Sequence, residues 1–324
     1  MMKGIILKIL VVLLLVFFCD RIIGYTLIYI FNRTLSGESG GNVNYMLTKK
    51  QDVDFLIFGS SRAKHQINPD QLKALNGNGY NAGVNGFGSV VYNSILLDLV
   101  TSKNIKPKDL LVQIDAISFI PNKDNHTKEL IPLYPFYNQS KLLRSYCHEM
   151  GYEEKIKLNS ILYRFNGKAI NLAFNYLKRN QVVDNNGYEP LSGTVDTLKE
   201  HILPYKDIKI NKLDAFKLKA LDNIIDICKN TGINLYFIMP PSYNNSEYSV
   251  LLNNLLINYI QSKTVGRIIN MSNVDNYPLL QSPSKWKDRN HFSSYGAELF
   301  STYLNDSLSK YQFINQSLSK NSAN

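Results

Sequence analysis

The stretch VDFLIFGSSRAKH, residues 53–65, decides the fold that we expect for this chain. Residues 54–58 form a short apolar run that is typical of a strand buried on both faces, and the run ends at Gly59 and two serines. In open α/β sheets the ligand crevice lies outside the carboxyl ends of the strands, so a hydroxyl just past this strand is well placed to meet a substrate. Ser61 is therefore a candidate nucleophile, although Gly-Ser-Ser is also ordinary turn and helix-capping chemistry.

Composition indicates a globular protein with no nucleic-acid partner. The chain has 324 residues, of which 44% are hydrophobic and 19% are charged, which excludes wholesale disorder and leaves room for one α/β domain with an insert. Its formal net charge of +10 favours anionic partners in general. The basic residues are spread along the chain with no Arg-rich block and no zinc-finger spacing, so we expect no nucleic-acid binding.

The cysteines and glycines give no sign of a metal or a cofactor. Cys19, Cys147 and Cys228 form no CxxC pair and no Cys/His cluster with metal-ligand spacing. Cys147 and Cys228 would be free to pair in an exported chain, but both are also the small side chains that cores commonly bury, which is the interpretation we favour. The glycine-rich loop described below lacks the Walker lysine and the GxGxxG pattern, so we expect no nucleotide and no other cofactor.

The amino terminus predicts a membrane anchor. Residues 4–19 form an almost unbroken apolar run after Lys3, with Lys8 near its start, and the sequence continues into a second apolar stretch without the small residues of a signal-cleavage site. A cleaved signal and a lipoprotein modified at Cys19 are the alternatives. The positive flank predicts a single-pass anchor at residues 1–34 in a bacterial cytoplasmic membrane, with the amino terminus in the cytoplasm and the rest on the periplasmic, extracytoplasmic side.

Beyond the anchor, the pattern predicts a parallel α/β domain interrupted by an insert. Residues 35–51 are polar and rich in Gly and Ser, as in a tether. Apolar strands and amphipathic helices alternate in 52–120 and again in 213–312, which is typical of βαβ units. Residues 121–212 predict a mostly helical insert or cap, and residues 313–324 a polar tail. The insert is rich in aromatic residues that could stack on sugar rings, but we expect most of them simply to pack it. These aromatic residues include Tyr134, Phe136, Tyr137 and Tyr163.

Two further motifs carry candidate chemistry. NAGVNG, residues 81–86, opens a helix with a glycine-rich loop whose backbone N–H groups could bind an anion or serve only as a tight connection. DRNH, residues 288–291, places a carboxylate three residues before an imidazole, just ahead of the last helix; a helix cap and a surface histidine are the structural alternatives. Between them, Asp115 follows a buried strand, where it could act in the site or cap a turn.

The order of strand, GSS, NAGVNG, a strand ending in Asp, and DRNH resembles the SGNH/GDSL hydrolase superfamily, in particular the membrane-anchored SGNH-like proteins of bacterial envelopes. The resemblance covers roughly residues 52–120 and 213–310. It implies a flavodoxin-like three-layer α/β/α fold with a parallel sheet and a Ser-His-Asp site. Residue by residue, it places Ser61 at the nucleophile, Gly86 at a backbone oxyanion donor, Asp288 at the carboxylate and His291 at the base.

One departure from the family affects the oxyanion hole. The family's third block usually reads GxND and supplies an Asn side chain, whereas the matching strand here reads VQIDAISF. Asn85 or another backbone amide could take its place beside Ser61 and Gly86. Arg62 and Asp115, which lie next to the motifs, are candidate substrate-binding residues.

The resemblance leads us to expect a membrane-anchored serine esterase or O-acyltransferase that removes or adds acyl groups, acetyl above all, on a cell-envelope polysaccharide. A lipid-linked glycan is an equally suitable substrate, and a membrane acyl-donor protein is a candidate partner. The alternative is a catalytically inactive SGNH-like envelope protein that binds glycan or an acyltransferase partner, which the missing Asn favours.

Overall fold

The computed structural model describes residues 2–37, 40–86, 88–178, 184–194, 212–243, 247–263 and 267–321. The chain forms two compact units, and each is built from two separate segments of sequence. We call them the helical unit, Met1–Lys49 with Asp124–Val183, and the sheet unit, Lys50–Lys123 with Asp184–Asn324.

The sheet unit contains a five-stranded, entirely parallel sheet with the order β2-β1-β3-β4-β5. This is the strand order of flavodoxin-like doubly wound folds, and it confirms the predicted parallel α/β class. All four residues of the first strand are buried, as the apolar run 54–58 predicts. The strands are β1 (Phe55–Phe58), β2 (Gly79–Asn81), β3 (Asp109–Gln113), β4 (Asn234–Met239) and β5 (Arg267–Asn270).

The α-helices surround this sheet in one unit and make up the other. In chain order they are α1 (Met2–Phe31), α2 (Gly41–Lys49), α3 (Ser61–Gln66), α4 (Val90–Ser102), α5 (Lys123–Leu130), α6 (Lys141–Glu149), α7 (Tyr152–Lys157), α8 (Ile161–Arg164), α9 (Ala169–Leu177), α10 (Ala215–Thr231), α11 (Glu247–Lys263) and α12 (Ser294–Asn321).

Both faces of the sheet are covered, because side chains alternate along each strand. On one face, Phe55 and Ile57 of β1 belong to a core cluster that includes Phe300 and Leu304 of α12. The alternate residues, such as Leu56, point to the other face, where α4 packs against α10 and α10 contacts β4. The arrangement is compatible with a three-layer α/β/α fold.

The helical unit joins the end of α1 to the insert helices. Phe31 at the end of α1 packs against Phe136 and Phe165, with ring centroids 4.9 and 5.7 Å apart. Asn44 of α2 donates from Nδ2 to the Phe31 carbonyl at 2.6 Å, which satisfies one of the free carbonyls at the end of α1. The aromatic residues singled out in the sequence are buried or half-buried and pack this unit: Tyr134, Phe136, Tyr137 and Tyr163.

Three local expectations differ from the structure. The predicted tether contains helix α2, because Val43, Met46 and Leu47 give it an apolar face that is buried. In the predicted polar tail, residues 313–321 belong to α12. Asn68 followed by Pro69 predicts the start of a helix, whereas the structure has two short 3-10 turns there; Asn68 does cap the first turn by accepting from Asp70 N at 3.0 Å. Within the predicted insert, residues 179–183 and 195–211 lie outside the described residues.

Candidate active site

The nucleophile candidate lies at the first position of a helix that starts directly beyond β1. Ser60 is the N-cap of α3, where its Oγ accepts from Arg62 N at 3.2 Å, and Ser61 is the first helical residue. Gly59 between strand and helix has φ 154°, and a Cβ there would meet the side chains of Ala63 and Gln113 at 2.7 Å. The turn therefore requires glycine, and it projects the Ser61 hydroxyl from the carboxyl edge of the sheet.

The glycine-rich loop after β2 packs directly on this turn. Its backbone is tied to β1 and the turn by two hydrogen bonds, from Ala82 N to Ile57 O at 2.8 Å and from Val84 N to Gly59 O at 3.1 Å. A Cβ at Gly88 would lie 2.0 Å from Gly59 O, so no side chain fits between the loop and the turn. NAGVNG thus begins a segment that holds the nucleophile turn by its backbone.

The imidazole candidate sits on a tight loop that two buried aromatic residues hold in place. Trp286 and Phe292 form an isolated antiparallel bridge, with ring centroids 4.2 Å apart, and Lys287 N donates to His291 O at 2.8 Å. Trp286 Nε1 also donates to Leu280 O at 2.6 Å. The loop between the two aromatic residues carries Asp288 and His291 and cannot shift without unpacking this core.

Ser61, His291 and Asp288 come together as a hydrogen-bonded chain. Ser61 Oγ lies 2.8 Å from His291 Nε2 across 230 residues of sequence. The other ring nitrogen, Nδ1, lies 3.0 and 2.9 Å from the two carboxylate oxygens of Asp288. With a proton on Nδ1 donated to Asp288, Nε2 is free to accept the Ser61 proton, which is the geometry that activates a serine hydroxyl.

Local hydrogen bonds keep the Asp288 carboxylate ionised. Burial by itself would raise the pKa of Asp288, but donation from Asn290 N and from His291 outweighs burial and holds that pKa below its ordinary value of 3.8. Asp288 Oδ1 accepts from Asn290 N at 2.8 Å and from His291 N at 2.9 Å. The carboxylate is thus negative at neutral pH, as required to stabilise an imidazolium.

Backbone amides beside Ser61 can receive an oxyanion. Ser61 N is at the start of α3, where intrahelical acceptors are missing, and it has no hydrogen-bond acceptor among the described residues. Gly86 has φ 73° and lines a pocket of about 230 Å³ together with Ser61. Asn85, the further candidate donor, does not line this pocket, nor does it line a second pocket of about 320 Å³ that Ser61 shares with His291. Its Oδ1 lies 2.8 Å from His65 Nε2.

Gln113 lies at the end of β3, in the strand where SGNH-like proteins usually carry the GxND motif. Its carboxamide, however, binds the turn between β1 and α3. Its Oε1 accepts from Ser60 N at 3.0 Å and from Ser60 Oγ at 2.8 Å. Its Nε2 donates to Asp115 Oδ2 at 2.8 Å. Both ends of the side chain are engaged, so Gln113 fixes the residue before the nucleophile and does not replace the family's Asn as an oxyanion donor.

Arg62 and Asp115 lie beside Ser61, and they bind each other. Arg62 Nη1 forms an ion pair with Asp115, while Nη2 donates to the carbonyls of Pro240 and Pro241 after β4. The Arg62 side chain is only 9% exposed, so its guanidinium chiefly ties together the ends of β1, β3 and β4. Asp115 is more accessible, at 23%, and remains the better placed of the two to meet a substrate.

An open pocket of about 320 Å³ gives access to the nucleophile. Ser61 and His291 line it together with Asp115, and Ile117 and Met239 contribute apolar surface. Such a pocket can accommodate a small acyl group and part of an alcohol.

Two buried polar side chains beside the candidate site were not predicted from the sequence. His65 and Gln66 of α3 are buried, at 8% and 0% exposure, although the helix sequence is mostly polar. His65 Nδ1 donates to the Glu189 carbonyl, and Gln66 Nε2 donates to Asn290 O at 2.6 Å in the loop of the imidazole. The available signal in the sequence was the mostly polar six-residue segment of α3, which begins at Ser61. This pattern does not reveal that His65 and Gln66 are buried, because their burial depends on the tertiary fold.

All three cysteines are free thiols. Cys147 and Cys228 are buried, and burial raises the pKa of each to about 12, whereas Cys19 on α1 is exposed. The favoured interpretation of Cys147 and Cys228 as small core side chains is confirmed. Among the described residues, no group of three or more His, Cys, Asp and Glu side chains is arranged to hold a metal ion.

Comparison of the sequence with protein-family models and with curated protein sequences finds no match.

Proposed function

We propose that this chain is a membrane-anchored, SGNH-like serine esterase or O-acyltransferase that acts on an O-acylated cell-envelope polysaccharide. The observation that carries the proposal is the 2.8 Å approach of Ser61 Oγ to His291 Nε2, with Asp288 on the far side of the ring. The parallel sheet, the glycine-rich loop on the nucleophile turn and the pocket beside Ser61 support the same reaction class.

The reaction proceeds through an acyl-enzyme. Ser61 Oγ attacks the ester carbonyl carbon while His291 Nε2 takes the hydroxyl proton, and the negative oxygen that forms is bound by the N–H groups of Ser61 and Gly86. Collapse breaks the ester C–O bond, and the leaving alcohol takes the proton from His291. Water or a sugar hydroxyl then attacks the acyl-Ser61 ester, with His291 again as the base, and releases an acid or an acylated sugar.

We infer the location and the substrate class of the protein from its amino-terminal helix. Helix α1 is long and apolar enough to cross a membrane, with a mean hydropathy of 2.6 in its most apolar window. With Lys3 on the cytoplasmic side and the long Lys8 side chain extended back toward it, the sheet unit faces the envelope. An O-acylated polysaccharide or a lipid-linked glycan is the ester substrate available there, and a membrane acyl-donor protein would supply the acyl group for transfer.

Labelling with a fluorophosphonate probe tests the nucleophile. We expect the full-length protein in detergent to be labelled, because the probe requires a serine activated by an adjacent base. Ser61→Ala and His291→Ala should abolish labelling, whereas Ser282→Ala, an exposed serine of the same unit, should not change it. Equal labelling of the wild type and Ser61→Ala would refute the proposed nucleophile.

The same experiment decides the alternative of an inactive envelope protein that binds glycan or an acyltransferase partner. One observation favours this alternative: both ends of the Gln113 carboxamide are engaged, so β3 offers no third oxyanion donor. A wild-type protein that stays unlabelled where a known serine esterase reacts would support the inactive binding protein.

A further inference from the structure

The helical unit carries an exposed apolar stripe on α9. Ile170, Phe174 and Leu177 are 73%, 59% and 72% exposed. Their spacing of four and three residues places them on one face of the helix. The opposite side of the helix is packed, since Leu172 is fully buried. The stripe is therefore an outward-facing surface of a well-packed helix.

The contacts that α8 and α9 make with α1 determine how deep α9 lies in a bilayer that α1 spans. A hydrocarbon core of about 30 Å requires about 20 helical residues, so a span that begins at Gly4 ends near Ile23. Helices α8 and α9 both pack against α1. Asp20 Oδ1 accepts from Ser160 Oγ at 2.5 Å, and Asp20 Oδ2 accepts from Ile161 N at 3.2 Å, so the start of α8 is joined to α1 three residues before the end of that span.

Close packing between α1 and α8, one helical turn farther along α1, supports the same depth of α9 in the bilayer. A Cβ on Gly24 would lie 2.5 Å from Ile161 Cβ, so α1 and α8 are in backbone-close contact where the hydrocarbon core ends. The outward face of α1 continues in the same region with Tyr25 and Tyr29, which are 61% and 52% exposed. Tyrosines of this kind are typical of the membrane–water interface.

We propose that α9 is an interfacial membrane helix, whose Ile170, Phe174 and Leu177 insert into the outer boundary of the bilayer beside α1. The inference rests on the membrane-spanning part of the proposed function and does not depend on catalysis. The exposed Lys178 follows the stripe directly, and a basic residue at the end of an apolar face suits a headgroup region. Because α1 already holds the unit at the membrane, a short helix suffices for this insertion.

Spin labels on the full-length protein in nanodiscs test the proposal. In a Cys19→Ser background the two remaining cysteines are buried, and Phe174→Cys or Ile170→Cys then carries the nitroxide. We expect both labels to be accessible to oxygen and protected from a water-soluble nickel chelate, as in the outer hydrocarbon boundary. The matched control Asn171→Cys, an exposed position off the stripe, should be several-fold more accessible to nickel.

A label at Leu13→Cys reports on the span itself. If Leu13 is in hydrocarbon while the labels at positions 170 and 174 match the nickel accessibility of position 171, the interfacial helix is refuted and the anchor stands. If Leu13 is also in water, both are refuted. Protection of positions 170 and 174 from oxygen and nickel alike would mean that protein covers the stripe, and it would overturn the proposal of a lipid contact.

Discussion

The catalytic proposal depends on individual hydrogen bonds to the His291 imidazole. The most informative of them is the hydrogen bond between His291 Nδ1 and the Asp288 carboxylate. The carboxylate fixes the ring so that Nε2 faces Ser61. A carboxamide at position 288 would leave the ring tautomer unfixed. Asp288→Asn should therefore lower the rate of fluorophosphonate labelling by on the order of 10³-fold or more.

Acid titration of stability tests the charge state of Asp288. Because its pKa is lower in the folded protein than the ordinary value of 3.8, its stabilising contribution is present above about pH 4 and is lost as the pH falls through the lowered value. The difference in thermal unfolding midpoint between the wild type and Asp288→Asn should shrink as the pH falls from 5 to below about 4. A difference that grows on acidification would contradict this assignment.

In the proposed function, His65 is a positioning residue for the oxyanion side of the site. Its ring joins Asn85 in the glycine-rich loop to the carbonyl of Glu189, and it packs edge-on to His291 with centroids 6.1 Å apart. We expect His65→Ala to slow labelling about tenfold, which corresponds to ~1.4 kcal/mol of activation free energy. His65→Gln, which keeps polar groups at both ends, should recover part of that rate, whereas a role in packing alone would not be rescued by Gln.

At the scale of elements, the site depends on the contact between the glycine-rich loop and the nucleophile turn. A methyl group at Gly88 would lie 2.0 Å from Gly59 O and 2.3 Å from Ser60 Cα, so one of the two backbones must move. We expect Gly88→Ala to cost about 1–3 kcal/mol of unfolding free energy and to reduce labelling more than tenfold. Thermal unfolding and labelling rates measure the two effects.

Gly232→Ala is the matched control for this substitution. Gly232 ends α10 with φ 75°, and a Cβ there would have no heavy atom within 4 Å. The change therefore adds backbone strain of about 1–2 kcal/mol without a clash. It should lower the unfolding midpoint but leave the labelling rate unchanged. Similar labelling losses in both variants would show that general destabilisation, and not the loop contact, governs the site.

At the scale of the whole molecule, the chain alternates between its two units. It leaves the helical unit after Lys49, returns at Asp124 and leaves again after Val183. Three covalent connections thus join the sheet unit, which carries the candidate triad, to the unit that carries α1. In the proposed function, an enzyme held to the bilayer in this way meets substrates that are themselves at the membrane, such as lipid-linked glycans, at a high effective concentration.

The sequence by itself determined the features that depend on local spacing. The apolar runs predicted β1 and the parallel α/β class, the amino-terminal run predicted a helix long enough to span a membrane, and the three-residue spacing predicted the contact between Asp288 and His291. Each of these follows from helix and strand periodicity or from the reach of one side chain. They could therefore be inferred from neighbouring residues alone.

Only the tertiary structure decided which distant groups meet. Ser61 and His291 are 230 residues apart, and their contact requires the sheet to bring the end of β1 beside the loop before α12. The engagement of Gln113, the burial of His65 and the exposure of the α9 stripe likewise depend on which surfaces other elements cover. Burial is a property of the packed molecule, and no local pattern of polar and apolar residues encodes it fully.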